Sequence, residues 1–274
     1  MTIVAISREM GSGGSEIGAA VAKALHFEYV DRQILLEAAH AHGVPEAKLV
    51  EAVEHHPSLW QRFDTERRRY LTFLEAAYYA FAEKGNLVTA SRSGPFLVRD
   101  VTHALRVRIM APVEVRVRRV MARERLDQKA AAVKVHAYDR EMSGRIDYLY
   151  GVDWTQPEHY DLVINTRDDA WEFYTDLLVV AARSSRYQPT PASLQRIQDL
   201  SLAAQVRAAI ATDPGTQALN VQVTAQTGHV VLTGVVFSAA ELEIASEVAK
   251  RVPGVTTVSC EMEEIPRVYP GPIM

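Results

Sequence analysis

The chain has one cysteine, no long apolar run and no marked excess of either charge. With only Cys260, an intrachain disulfide is excluded, and the β-like run around it predicts a small buried side chain. No apolar stretch approaches the roughly 18 residues that a membrane-spanning helix needs. A formal net charge of -4 argues against a nucleic-acid partner. Residues 1–7 lack the basic start and cleavage site of a signal peptide, so we expect a cytoplasmic location.

What is present is an ordinary globular composition, with 48% hydrophobic and 23% charged residues. Over residues 1–183, short apolar runs typical of strands alternate with helical patterns. This alternation predicts an α/β fold, a three-layer parallel sheet with helices on both faces. The five expected strands are Thr2–Ser7, Phe27–Val30, Leu87–Ala90, Leu105–Met110 and Tyr160–Asn165, and helices are expected at about 15–25, 32–42, 46–55, 60–84, 113–125 and 171–183.

The organisation changes after residue 183. Residues 184–193 contain two prolines and no apolar run, which predicts an interdomain linker. Residues 194–266 then predict a small α+β domain in the order α-β-β-α-β, and residues 267–274 a loose proline-rich tail.

A glycine cluster follows the first predicted strand and precedes the first predicted helix. Such a turn can bind a phosphate, because free amides point at it and the helix dipole favours negative charge. The standard motif is G-x-x-x-x-G-K-[ST]. Aligning Gly13, Gly14 and Ser15 with G-K-[ST] puts Gly14 where the lysine belongs and Arg8 where the first glycine belongs. A tight glycine turn without a ligand is the alternative interpretation.

Three polar sites fall at predicted strand ends. They are the glycine cluster, Asp31 and the pair Ser91 and Arg92. Ligands of parallel sheets bind at the carboxyl ends of the strands, so we expect these residues to converge on one site.

Several collinear segments resemble the cytidylate-kinase-like family, a divergent branch of the nucleoside monophosphate kinases. The resemblance spans about residues 1–183, and that branch commonly has the Gly-Gly form of the loop. The matching segments are Ile6–Ile17, Tyr29–Arg32, Ala111–Val120, Asp139–Arg140, Tyr150–Trp154 and Tyr160–Thr166.

The resemblance implies an ATP-dependent kinase that uses Mg²⁺ and a nucleoside monophosphate acceptor, CMP or dCMP. It assigns the donor phosphates to the loop, Mg²⁺ to the Ser15 hydroxyl, and the acceptor to Asp31 and Arg92. Asp31 could equally cap a helix, and Arg92 could be a surface cation. The loop residues implied are Gly11, Ser12, Gly13, Gly14 and Ser15.

The cations of catalysis are predicted at three positions. Arg8 lies on the loop and would supply the charge of the missing lysine. Arg140 and Arg145 lie in a segment of the right size for a lid that closes over the donor; a solvated charged helix is the alternative. Ser93 stands where cytidylate kinases have an aspartate. A nucleotide sensor without catalysis, controlling the contacts of the C-terminal domain, is therefore the rival function.

The C-terminal segment resembles the BON domain over about residues 195–265. Gly228, Gly234 and Gly254 match its glycine signature. The resemblance implies a ligand-binding or association module whose partner is a small molecule, a lipid or a protein, and it leaves homo-oligomer formation open. Nothing in this segment predicts catalysis.

Overall fold

The structure is a computed structural model that describes residues 1–45, 47, 64–91 and 93–265. Its larger sheet has five parallel strands in the order β2-β3-β1-β4-β5. This arrangement confirms the predicted parallel sheet. The strands are β1 (Ile3–Arg8), β2 (Glu28–Val30), β3 (Leu87–Thr89), β4 (Ala104–Met110) and β5 (Leu162–Asn165).

Helices connect these strands, as parallel pairing requires. Short 3₁₀ turns lie at Pro157–His159 and Ser185–Tyr187. The predicted helix at 46–55 lies outside the described residues, apart from Ala47. The helices are α1 (Gly14–Leu25), α2 (Arg32–His40), α3 (Asp64–Lys84), α4 (Gly94–Leu97), α5 (Val113–Glu124), α6 (Gln128–Tyr150) and α7 (Trp171–Ala182).

The core of this part is centred on β1. Five successive residues, Ile3–Ser7, are fully buried, so both faces of the strand are covered, because neighbouring side chains point to opposite faces. Ile17 and Val21 lie one helical turn apart on α1 and pack into the same core as Leu178 of α7. In the described part of the chain, no helix is long and apolar enough to cross a bilayer.

The strand order makes the carboxyl end of β1 a topological switch point. β1 pairs with β3 on one side and with β4 on the other, and a crevice for ligands forms at such a point. Thr89 at the end of β3 is in register with Ala5 of β1 and with Val30 of β2. The ends of β2 and β3 therefore lie level with Ala5, and β1 extends three residues further, to Arg8.

The described residues form two compact units. The first contains residues 1–36, 84–91 and 93–194, and the second contains 37–45, 47, 64–83 and 195–265. α3 therefore lies largely in the second unit, although the sequence suggests that it belongs to the N-terminal domain. Side-chain contacts explain this: Ser201 donates to Glu83, and Arg207 pairs with Glu75 of α3.

The segment predicted as a linker has regular structure. It holds the 3₁₀ turn at Ser185–Tyr187 and the first residues of α8 (Pro191–Thr212). Its Tyr187 is buried and accepts a hydrogen bond from Thr2, while Ser193 is buried against His103. The domain limits at residues 184–193 remain a prediction, and the tail 267–274 lies outside the described residues.

The second unit contains the predicted α-β-β-α-β order, which the structure confirms. After α8 come β6 (Asn220–Gln226), β7 (His229–Val236), α9 (Ala239–Lys250) and β8 (Thr257–Glu264). β6 and β7 form an antiparallel hairpin, and β7 pairs in parallel with β8. The core is formed by one face of each helix and of the sheet, including Val206, Ile210, Val230, Leu232, Ala245 and Ala249.

Candidate nucleotide phosphate site

The loop between β1 and α1 is a turn built on two left-handed glycines. Gly11 has φ 77° and Gly13 has φ 79°, a region that other residues avoid. Between them, Ser12 is fully buried and its hydroxyl donates to the carbonyl of Glu9 at 2.8 Å. The loop is thus held by its own hydrogen bonds as well as by its glycines.

Main-chain N–H groups of this loop lack protein acceptors. Among the described residues nothing accepts from the amides of Gly11, Gly13, Gly14, Ser15 and Glu16. The last three begin α1, where the helix dipole adds positive potential. Free amides with this potential form a site for a phosphate group. The predicted loop residues are therefore brought together, with the Ser12 side chain turned into the protein.

Arg8 lies across Gly14. A Cβ atom added at Gly14 would be 2.6 Å from Cβ and 3.1 Å from Cδ of Arg8, closer than atoms tolerate. A lysine at position 14 is therefore incompatible with Arg8 in this conformation. The half-buried Arg8 also has an Nε atom without a hydrogen-bond partner in the described part of the chain.

Tyr29 connects the loop to the end of β2. Its hydroxyl donates to the carbonyl of Ser15 at 3.2 Å. Burial raises the pKa of Tyr29, Arg8 lowers it, and Asp31 raises it again. The convergence of Asp31 with the loop stays a prediction. Arg92, the third member, lies outside the described residues.

A buried charge network lies beneath the loop. The carboxylate of Glu9 accepts from Arg108 at 2.7 Å and pairs with Arg116 at 3.2 Å. Arg116 also forms a bidentate pair with Asp139, with both distances 2.9 Å, and donates to the carbonyl of Ala111. Asp139 raises the pKa of Arg116 against the opposing effect of burial. This network joins α6 to the loop.

Arg119 connects the loop to the segment after β5. It donates to the carbonyls of Gly11, Thr166 and Asp168, and to the carboxylate of Asp169. Its guanidinium lies 4.5 Å from the centre of the Trp171 ring. A Cβ atom at Gly13 would overlap this ring, so Trp171 packs directly on the loop.

The two predicted lid arginines have different environments on α6. Arg140 is exposed, whereas Arg145 is buried and forms an ion pair with Glu141 one turn earlier. Met142, between them on the same helix, is fully buried in an aromatic cluster with Tyr138 and Trp154. The catalytic roles of Arg140 and Arg145 remain predictions.

The residues present fit ATP and Mg²⁺. The free amides suit phosphate oxygens, and Ser15 Oγ has no hydrogen-bond partner among the described residues. A loop of this type binds the metal through that hydroxyl and the phosphates together. Accordingly, a cluster of three metal-binding side chains is not needed, and none occurs within the described residues.

Sequence reasoning missed Glu9 and its arginines. One signal was available: Glu9 is an acidic residue inside a loop that is predicted to bind an anion. Its negative charge must be neutralised by nearby cations. A second signal was the pair Arg106 and Arg108, which alternate in the otherwise apolar strand β4. Arg108 turns towards Glu9, and Arg106 forms a bidentate pair with Asp161.

The comparisons agree with this geometry. Residues 3–168 match the model of the Cytidylate kinase-like family, and residues 198–266 match that of the BON domain. The cytidylate kinase of Pyrococcus horikoshii is 29% identical over 167 residues, which cover 60% of this chain and 79% of that protein. The S-adenosylmethionine-dependent nucleotide dehydratase of Lacinutrix mariniflava is 27% identical over 183 residues, 65% of this chain and 35% of that protein.

A solved structure shows the same fold. An uncharacterized protein from Eubacterium ventriosum superposes with a TM-score of 0.50 at 20% identity, over 67% of this chain and 99% of that one. The family match over residues 3–168 and the cytidylate kinase relative indicate a nucleotide-binding, kinase-like protein. The chain belongs to the cytidylate kinase-like family, and its C-terminal part is a BON domain.

Proposed function

We propose that the first unit transfers a phosphoryl group from ATP to a nucleoside monophosphate, with CMP or dCMP as the leading acceptor, in the cytoplasm. The observation that carries the proposal is the set of five free amides beside Arg8. Phosphoryl transfer requires mainly positioning and neutralisation of charge. Main-chain amides and one arginine provide both at the first turn of α1.

Each group has a defined task in this proposal. The amides of Gly11, Gly13, Gly14, Ser15 and Glu16 hold the donor phosphates, and Mg²⁺ on the Ser15 hydroxyl would neutralise part of their charge. Arg8 supplies the cation that a lysine gives in the standard loop. Asp31 and Arg92 orient the acceptor, as the resemblance implies.

The lid arginines carry the remaining steps. Arg140 is exposed on α6 and forms no ion pair with another described residue, so it is available to approach a phosphate. Arg145 pairs with Glu141, so its role requires that a phosphate replace this carboxylate. Closing of α6 over the donor would exclude water from the transfer.

An exchange of two residues tests the role of Arg8. The variant Arg8→Gly should lose about a hundredfold in kcat, because a cation next to the transferred group is removed. Adding Gly14→Lys to Arg8→Gly restores the standard motif, and the lysine meets no clash because the Arg8 side chain has been removed. The double variant should therefore recover much of the activity. Gly14→Lys alone should be inactive, since Arg8 occupies the space. A coupled ATP assay with each monophosphate measures all four proteins.

A non-catalytic nucleotide sensor is the second candidate. The lack of a lysine at Gly14 and the buried pair of Arg145 favour it, and one relative bears the name of a dehydratase rather than a kinase. ATP binding without turnover on any monophosphate, with the double variant equally inactive, would replace the kinase proposal by the sensor.

A further inference from the structure

The second unit contains a cavity that is unrelated to the phosphate loop. Its volume is 90 Å³, and it lies between Arg69 of α3, Arg207 of α8 and the segment from Gln217 to Val221. This space holds a few water molecules or one small polyatomic ion, and it is too small for a nucleoside. Two arginines on one small cavity indicate a preference for negative charge.

Both arginines have incomplete hydrogen bonding. Arg207 Nη2 donates to Glu75 at 2.8 Å, and Arg69 Nη1 donates to Gln217 at 3.3 Å. In both residues Nε is buried and finds no acceptor within the described part of the chain. A buried donor without an acceptor is destabilising and uncommon in folded proteins. Because both residues line the cavity, an acceptor bound there could serve both.

The local charge favours an anion as that acceptor. Glu75 is the carboxylate that pairs with Arg207, and Arg69 has an amide as its partner. Burial also raises the pKa of Glu75, although Arg207 lowers it. The amide of Ala218, on the same wall, has no acceptor among the described residues and adds a neutral donor.

We propose that this cavity is a second anion site, which binds a phosphoryl group through Arg69 and Arg207. The planar guanidinium presents Nε–H and Nη–H side by side, which matches two oxygens of a phosphate. The phosphoryl group is either free inorganic phosphate or the head group of a phospholipid. The site is separate from the proposed nucleotide site and does not depend on its activity.

Titration of the full chain with inorganic phosphate tests the proposal, with the ¹⁵N-labelled amides of Gln217 and Ala218 as the local readout. These signals should shift to saturation in the wild type. Arg69→Gln should weaken the binding about tenfold, because one charge-assisted hydrogen bond is lost, and Arg207→Gln should do the same. Arg251→Gln removes an exposed arginine of the same unit and should leave the binding unchanged.

Flotation with vesicles of phosphatidylcholine, with and without phosphatidic acid, distinguishes the sources. Binding that requires phosphatidic acid and both arginines assigns the site to a lipid head group; shifts with free phosphate alone assign it to a soluble phosphate. Because Arg207→Gln also leaves Glu75 unpaired, Arg69→Gln, with its fold checked by circular dichroism, decides the outcome. Unperturbed amides together with absent flotation, or shifts that Arg69→Gln leaves unchanged, would overturn the proposal.

Discussion

Arg116 in the first unit and Arg207 in the second are both helix arginines that pair with a carboxylate, yet their hydrogen bonding differs. Arg116 is 4% exposed and uses Nε, Nη1 and Nη2 on Ala111, Asp139 and Glu9. Arg207 is 25% exposed, uses Nη2 on Glu75, and leaves Nε buried without an acceptor among the described residues.

The comparison indicates how to separate structural arginines from those available to a ligand. A guanidinium whose donors are all satisfied holds elements together, as Arg116 does between the loop and α6. A guanidinium with a buried free donor has capacity left for an oxyanion, as in Arg207, Arg69 and Arg8. The burial of an arginine does not by itself separate structural arginines from those available to a ligand. The number of its N–H donors that have an acceptor does.

The largest expected effect comes from substituting Arg116, the arginine to which the comparison assigns a structural role. Arg116→Gln removes a buried cation that the partly buried carboxylates of Glu9 and Asp139 share, so it should lower the free energy of unfolding by about 4 kcal/mol. The matched Arg207→Gln removes a more exposed pair and should cost about 1 kcal/mol. Urea denaturation of both variants measures the difference. Equal losses would show that the number of acceptors does not separate the two arginines.

The next effect concerns the left-handed backbone conformation of Gly13 in the loop between β1 and α1. Gly13→Ala places a side chain at φ 79° and against Trp171, so it should lower the free energy of unfolding by about 3 kcal/mol and abolish ATP binding. Gly151→Ala is the control, because Gly151 has φ 64° and an open Cβ position. It should cost only the strain of about 1 kcal/mol. Similar losses in the two variants would argue against the contact with Trp171.

A smaller effect is the pH dependence of the stability that Glu75 contributes in the second unit. Burial raises the pKa of Glu75 above its ordinary value of 4.5 in the folded protein. Its stabilising contribution is therefore complete below pH 4.5 and declines as the pH rises through the folded pKa. Relative to Glu75→Gln, the wild type should lose up to about 1 kcal/mol between pH 4.5 and 7. Denaturation curves across this range measure the loss, and a difference that does not vary with pH would contradict it.

The smallest effect has the opposite sign and lies in the first unit. Burial lowers the pKa of His103 below its ordinary value of 6.5, and Nδ1 lies 2.8 Å from the hydroxyl of Ser193. The neutral ring therefore stabilises the fold above pH 6.5, and this contribution is lost as the pH falls through the folded pKa. The gap in stability between the wild type and His103→Asn should narrow by less than about 1 kcal/mol from pH 7 to 5. If the difference in stability between the two proteins instead widened as the pH fell, the charged ring, not the neutral one, would be the stabilising form.

Much of the fold follows from local pattern. The five strands of the first sheet are short apolar runs, and each occurs within two residues of its predicted position. The hairpin of β6 and β7 follows from the alternation around Gly228. Patterns of this kind are decided by neighbouring residues, so they can be read without the tertiary structure.

The groups that act on the loop were less predictable. Arg116 and Arg119 are three residues apart on α5, close to Glu114 in the sequence. Their carboxylate partners nevertheless lie 23 or more residues away, at Asp139, Asp169 and Glu9 of the loop. Such pairs depend on which helix returns to which strand end, and spacing along the chain carries no information about that.

The sequence by itself determined that glycines follow the first strand and open the first helix, because that conformation belongs to the residues themselves. It also determined the alternation that produces a parallel sheet and the separate α-β-β-α-β order. Only the tertiary structure decided that Arg8 occupies the space of the missing lysine, and that Arg69 and Arg207 share a cavity with free donors. Hydrogen bonding between distant residues is satisfied or left open only when the chain has folded, so it has no local signature.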